Sequence, residues 1–153
     1  MTVRPFSTDK AEIWDGFVRA QPQATILHER RFLDYHGDRF IDQSVLIETP
    51  DQKIAAVFPA ARDPSKADVI ISHPGATYGG LVCGHKEPPD RVRDMIEMLC
   101  DYYREKGLER VVWKQPPGHL AAQRQSVFDW ALWVSGAKLM RRELWNLVEL
   151  DLS

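Results

Sequence analysis

A chain of 153 residues with 44% hydrophobic and 27% charged side chains can bury about 70% of its unfolded surface in one domain, so it needs neither disulfide staples nor a metal to hold a core. Its net charge of −2 and pI near 6.2 exclude a chain-wide attraction to DNA or to anionic lipid. No stretch approaches the ~20 apolar residues of a membrane span, and the first residues lack the apolar run of a signal peptide, so no membrane span and a cytoplasmic location are expected.

In chain order, Asp9 opens a helical pattern, with Glu12 three residues later as a capping-box partner. Ile13, Trp14, Phe17 and Val18 then share one face, and Gln21-Pro22 closes the helix. A shorter helix is expected from about His28 to Tyr35, stopped at Gly37. The period then changes. Ser44 to Glu48 and Lys53 to Phe58 are short β-rich runs separated by Thr49-Pro50-Asp51-Gln52, which reads as a hairpin. Val69 to His73 is a third strand.

The second half is more regular. Pro88 and Pro89 suit a first helical turn, and Val92, Met95, Ile96, Leu99 and Tyr103 follow on one face up to Gly107 at the C′ position. Arg110 to Lys114 is a strand halted by Pro116-Pro117. Val127, Phe128, Ala131 and Leu132 mark another helix ending at Gly136, and Leu144 to Leu152 alternate as a last strand. Three consecutive strands favour antiparallel pairing and the later strand–helix–strand steps favour parallel pairing. The expected fold class is therefore α/β: one mixed, mostly antiparallel sheet of five to seven strands with helices on both faces, in a single domain over residues 1–153.

Some chemistry is excluded. The chain has no Walker loop, no His-Glu-x-x-His, no Gly-x-Ser-x-Gly elbow and no dinucleotide-binding fingerprint. Its five histidines lack metal-ligand spacing, so no metal is expected. Cys83 and Cys100 fit no zinc or redox motif, leaving either one disulfide or two free thiols.

The order of elements resembles the GNAT (acyl-CoA N-acyltransferase-like) fold, and the local wording resembles the N-terminal lobe of FemAB-like peptidoglycan aminoacyltransferases. The matching pieces are Trp14-Asp15-Gly16-Phe17-Val18, Val57-Phe58-Pro59-Ala60, Lys114-Gln115-Pro116-Pro117, Gly136-Ala137 and, most specific, the Thr77-Tyr78-Gly79-Gly80-Leu81 run within Ser72 to Leu81. This resemblance spans most of the chain. It implies a transferase that moves an acyl or aminoacyl group from acyl-CoA or aminoacyl-tRNA to an amine of a small molecule or cell-wall precursor. It also implies a second GNAT-like lobe, or a homodimer partner in its place, and no tightly bound cofactor. Against this stands the donor loop. An active lobe carries Gln/Arg-x-x-Gly-x-Gly/Ala before the helix that binds pyrophosphate, whereas Tyr78 to Pro89 has different glycine spacing, an acidic Glu87 and two prolines. A non-catalytic binding or interaction module that keeps the fold is the rival reading.

The candidate site follows from that loop. His73 and Tyr78 are the catalytic candidates, His73 as a proton carrier and Tyr78 lining the cleft. Gly79, Gly80 and Gly84 are the cofactor-binding candidates, through close approach of backbone to an anion. Gly75, Thr77 and Lys114 are the substrate-binding candidates, Lys114 as an ammonium meeting a phosphate or carboxylate. Each has a structural alternative: a tight turn for the glycines, a histidine satisfied by loop backbone for His73, and a snorkelling edge lysine for Lys114. Trp113, Trp130, Trp133 and Trp145 read as core or lobe-interface aromatics.

Overall fold

The computed structural model describes residues 1–121 and 124–144. It shows an α/β arrangement of seven strands and five α-helices among those residues, with short 3-10 turns between them.

Strand β1 (Thr2–Pro5) was not expected from the sequence; it pairs antiparallel with β2 (Val45–Glu48), Thr2 opposite Glu48 and Pro5 opposite Val45. Helix α1 (Ala11–Arg19) follows a 3-10 turn over Thr8–Lys10. That turn carries Asp9 inside it, so no Asp9 capping box forms and Lys10 stands at the helix start without a side-chain cap. Trp14 and Val18 are buried and Phe17 half-buried, while Ile13 turns outward at 58% exposure. A capping box does form at Thr25 and His28. The expected helix from His28 to Tyr35 shrinks to α2 (Arg30–Leu33) between two 3-10 turns, the second bent at Gly37 (φ 52°, ψ −135°).

The hairpin of β2 and β3 (Ile54–Phe58) is antiparallel, as expected. After it the structure departs from a single sheet. Strand β4 (Ala61–Asp63) starts only past Pro59 and Ala60 and pairs with β5 (Lys66–Ile71), which pairs in parallel with β7 (Arg110–Val112). Strand β6 (Val82–Cys83) returns to β3. Two sheets result, β1-β2-β3-β6 and β4-β5-β7. Pro59 has no N–H to offer a ladder. At this break the Ser44 hydroxyl accepts the Ala60 N–H (3.0 Å) and donates to the Ala60 carbonyl (3.2 Å), which also accepts the Gln43 N–H (2.9 Å).

Helices cover both faces of the β2–β3 pair, because alternate side chains point to opposite sides. Leu46, Val57 and Val82 pack with Trp14, Val18 and Leu33. Val45, Ile47, Ala56 and Phe58 pack with Val92, Met95, Ile96, Leu99 and Tyr103 of α3 (Pro89–Glu105). That α3 face is buried as its spacing predicts, and Gly107 (φ 74°) follows the helix. After α4 (Gly118–Ala121), α5 (Gln125–Val134) adds Phe128 and Ala131 to the α3 side, its end marked by Gly136 (φ 81°). Trp130 and Trp133 of α5 are 38% and 74% exposed, so they belong to the surface and not to the core. Both cysteines are free thiols, and burial pushes the Cys83 thiol up to about 11. The strand expected over Leu144 to Leu152 lies, beyond Leu144, outside the described residues; Leu144 itself is in no strand or helix and is 96% exposed.

Candidate functional site

Parallel strands β5 and β7 share register over Val69–Ile71 and Arg110–Val112 and then part. The chain leaving β5 makes the loop Ser72–Leu81 and crosses to β6 in the other sheet, while the chain leaving β7 runs through Lys114 to Pro117. Carboxyl ends of adjacent parallel strands that diverge are where α/β sheets open a crevice for ligands.

The loop is stitched to the chain beyond β7. Ser72 donates its N–H to Val112 O (2.9 Å), its hydroxyl accepts the Lys114 N–H (2.7 Å), and Gly79 donates its N–H to Lys114 O (2.9 Å). Lys114 Nζ donates to the carbonyls of His73 (3.2 Å) and Ala76. Burial lowers the Lys114 pKa, opposed by the nearby Glu143 carboxylate. Its ammonium therefore braces the loop from inside.

The loop glycines are explained by contact. A Cβ on Gly79 would stand 2.6 Å from the Ser72 carbonyl oxygen. Gly80 has φ +95°, and a Cβ there would meet Trp113 Nε1 at 2.8 Å. Trp113 donates Nε1–H to Gln115 Oε1 (2.6 Å) and packs at a tilt against Phe58 with centroids 5.0 Å apart. Gly75 lies under the rings of His36 and Phe40.

The two catalytic candidates sit inward. Tyr78 is 8% exposed and donates its hydroxyl to Thr25 Oγ1 at 3.1 Å. His73 is 4% exposed with φ +61°. Burial, then the neighbouring His36, Lys114 and Arg30, bring its pKa down to about 4, so it is neutral at pH 7. Thr77 is exposed. The structure thus brings His73, Gly75, Thr77, Tyr78, Gly79, Gly80 and Lys114 together on one loop and its brace.

Gly84 belongs to a different turn, the one that enters α3, where its carbonyl accepts the Glu87 N–H (3.0 Å). Toward Arg124 that turn presents carbonyls: Arg124 donates to both His85 O and Glu87 O (2.7 Å), while the His85 N–H is taken by Gln21 Oε1 (3.1 Å) and Arg91 pairs with Glu87 (3.2 Å). An anion cradle needs the opposite polarity.

Two residues of this region were not read from the sequence as part of a site. His28 is buried; its Nε2 lies 3.3 Å from Gly79 O, and its Nδ1 accepts the Thr25 N–H (3.1 Å). Gln23 donates to Cys83 O (2.6 Å). With Gln115 and Phe128 they close the wedge between Leu81–Val82 and Gln115–Pro116 to a cavity of about 10 Å³. Only the Thr25–His28 capping box could have hinted at them, since their partners lie more than fifty residues away. A larger cavity of about 230 Å³ lies between α3, β7 and α5, lined in part by Leu99, Tyr103, Trp113 and Leu132. Among the described residues no group of three or more His, Cys, Asp or Glu is placed to hold a metal, and no helix is long and apolar enough to cross a membrane.

Fold and site together define an α/β domain with a stitched loop at a strand divergence. No family model matches the chain, and no curated protein does. Three solved structures share its fold over nearly its whole length. TTHA1254 from Thermus thermophilus is 16% identical, with a TM-score of 0.55 over 100% of this chain and 99% of that one. A point mutant of the same protein gives 14% identity and 0.57 over 99% of each chain. A point mutant of BH1408 from Bacillus halodurans gives 12% identity and 0.53 over 98% of this chain and 100% of that one. Identities this low carry the fold alone.

Proposed function

We propose that this chain is a GNAT-like, FemAB-type N-acyltransferase lobe that supplies the acceptor side of a cleft whose donor side lies elsewhere. The observation that carries the reading is the loop Ser72–Leu81, held by Lys114 at the point where β5 and β7 diverge, because this run is also the one on which the family resemblance is most specific. In such a lobe the amine would be positioned against exposed Thr77 and the loop backbone, and direct attack on an acyl carbonyl would need no covalent enzyme intermediate. His73 and Tyr78 shape the loop in this reading. Proton removal falls to a group outside the loop or to water, since His73 is buried and its pKa lies far below neutrality. Acyl-CoA or aminoacyl-tRNA is the donor class and a small-molecule or cell-wall-precursor amine the acceptor class, in the cytoplasm.

Two observations favour the second reading, an interaction module without catalysis. The wedge is closed to about 10 Å³ and the turn before α3 offers carbonyls to Arg124. Incubation with acetyl-CoA and a panel of amines, read as release of free coenzyme A thiol, separates the two. Turnover with the chain alone would place a donor site within it. Acceptor binding without thiol release fits the acceptor-side lobe. Neither binding nor turnover with any amine leaves the interaction module.

A further inference from the structure

The 3-10 turn Asp34–Arg39 and the loop Ser72–Leu81 meet through aromatic rings. His36 and His73 lie with centroids 5.1 Å apart. Phe32 stands edge-on to His36 at 5.8 Å, and Phe40 approaches His36 at 5.4 Å and His73 at 6.3 Å. A Cβ on Gly75 would come within 2.7 Å of the His36 ring, so that imidazole rests directly on loop backbone. Nε2 of His36 and Nδ1 of His73 are buried, and neither has a hydrogen-bond partner. One strained point lies at the contact, His73 at φ +61° in the loop, and Gly37 turns the facing segment at φ 52°, ψ −135°.

Burial disfavours a charge on His73 here, because a proton on its ring would sit unpaired among Phe32, Phe40 and the His36 ring. The surroundings add to the penalty. The charges acting on His73 are those of Arg30 from α2 and Lys114 beyond β7, both cationic, and Asp42 ahead of β2, the one carboxylate opposing them. Asp42 is itself engaged by Arg30 at 2.7 Å.

We propose that His36 and His73 form a proton-sensitive clamp that fastens the Ser72–Leu81 loop to the Asp34–Arg39 turn and releases the loop in acid. The closed state holds His73 down to about 4, whereas a freed imidazole titrates at about 6.5. Between those values the open loop binds more protons than the closed one, so acid favours opening. At about pH 5 the opening equilibrium shifts by roughly 30-fold relative to about pH 7.5. The clamp does not depend on which ligand, if any, the loop meets.

Amide hydrogen exchange of the whole chain tests it, read as protection factors at about pH 7.5 and about pH 5. The reporters are the amides of His73, Ala76 and Gly79, bonded to Ile71 O, His73 O and Lys114 O, against Leu99 and Tyr103 in the core face of α3. The loop reporters should lose about 30-fold in protection while the α3 reporters keep theirs. His73→Asn, which tolerates a positive φ and cannot titrate, should abolish the acid response, and His36→Phe should shrink it. Equal losses in loop and α3, or no loss in the loop, would overturn the clamp. Should the variants fail to fold, titration of the imidazole signals in the wild-type chain decides alone. A His73 that takes up its proton at about 6.5 with the loop still protected would also overturn it.

Discussion

The Nε2 of His28 lies 3.3 Å from the carbonyl oxygen of Gly79, a bond that spans 51 positions of the chain. With Nδ1 accepting the Thr25 N–H (3.1 Å), Nε2 carries the proton and donates it to Gly79. Burial lowers the His28 pKa, so the ring is held neutral. His28→Ala removes both bonds and leaves a cavity, and is expected to cost about 2–4 kcal/mol in a urea melt. The same burial sets a pH dependence. A folded-state pKa below the unfolded ~6.5 means that the unfolded chain binds the extra protons, so stability should fall as pH drops below about 6.5. His28→Ala should weaken that fall.

The hairpin, α3, its buried face and Gly107 were all legible in the sequence, because each rests on local spacing: period two, period 3.6, or a glycine just past a helix end. The division into two sheets was not. It coincides with Pro59 and with the Ser44 hydroxyl, and nothing local announces that a serine across the hairpin will bond both polar groups of Ala60. The candidate loop was found as a run of glycines, and contacts now explain Gly75, Gly79 and Gly80. The burial of His73 and the role of Lys114 as a brace needed three-dimensional neighbours.

Glycine substitutions separate contact from mere flexibility. Gly79→Ala drives a methyl to 2.6 Å from the Ser72 carbonyl oxygen, and Gly80→Ala adds a positive φ to its clash with Trp113. Each should lower stability by about 1–3 kcal/mol in denaturant melts. Gly16→Ala meets nothing within 4 Å inside α1, and should instead stabilise by up to about 1 kcal/mol.

The core assignment of α3 has its own measurement. Ile96 is 2% exposed among Val45, Ile47 and Leu99 in the larger core cluster. Ile96→Ala is expected to cost about 2–5 kcal/mol. A change within ~0.5 kcal/mol, as at a surface site, would contradict the packing of this face on the sheet.

Coenzyme A should bind this chain weakly or not at all. The turn before α3 directs the carbonyls of His85 and Glu87 at Arg124, and Pro88 and Pro89 lack N–H groups where a pyrophosphate would need them. Calorimetry should therefore give no saturable heat at micromolar concentrations. A dissociation constant in the low micromolar range would mean that Arg124 leaves those carbonyls and that Gly84 joins an anion site.

Association is expected through the exposed apolar side chains of α5 and the residues after it. Trp133, Leu139, Met140 and Leu144 are 74%, 75%, 75% and 96% exposed, a concentration of large apolar groups that water disfavours. Among the described residues β7 pairs with β5 alone. The chain should therefore form a homodimer at micromolar concentration, with a mass by light scattering of twice 17.6 kDa. Trp133→Glu should return it to a monomer with an unchanged circular dichroism spectrum, because this side chain projects from α5 and the core-facing positions of that helix are Phe128 and Ala131. A wild-type mass of 17.6 kDa would refute the dimer. A Trp133→Glu variant that unfolds would place Trp133 in the core instead. If the variant folds but stays dimeric, the contact lies on another face.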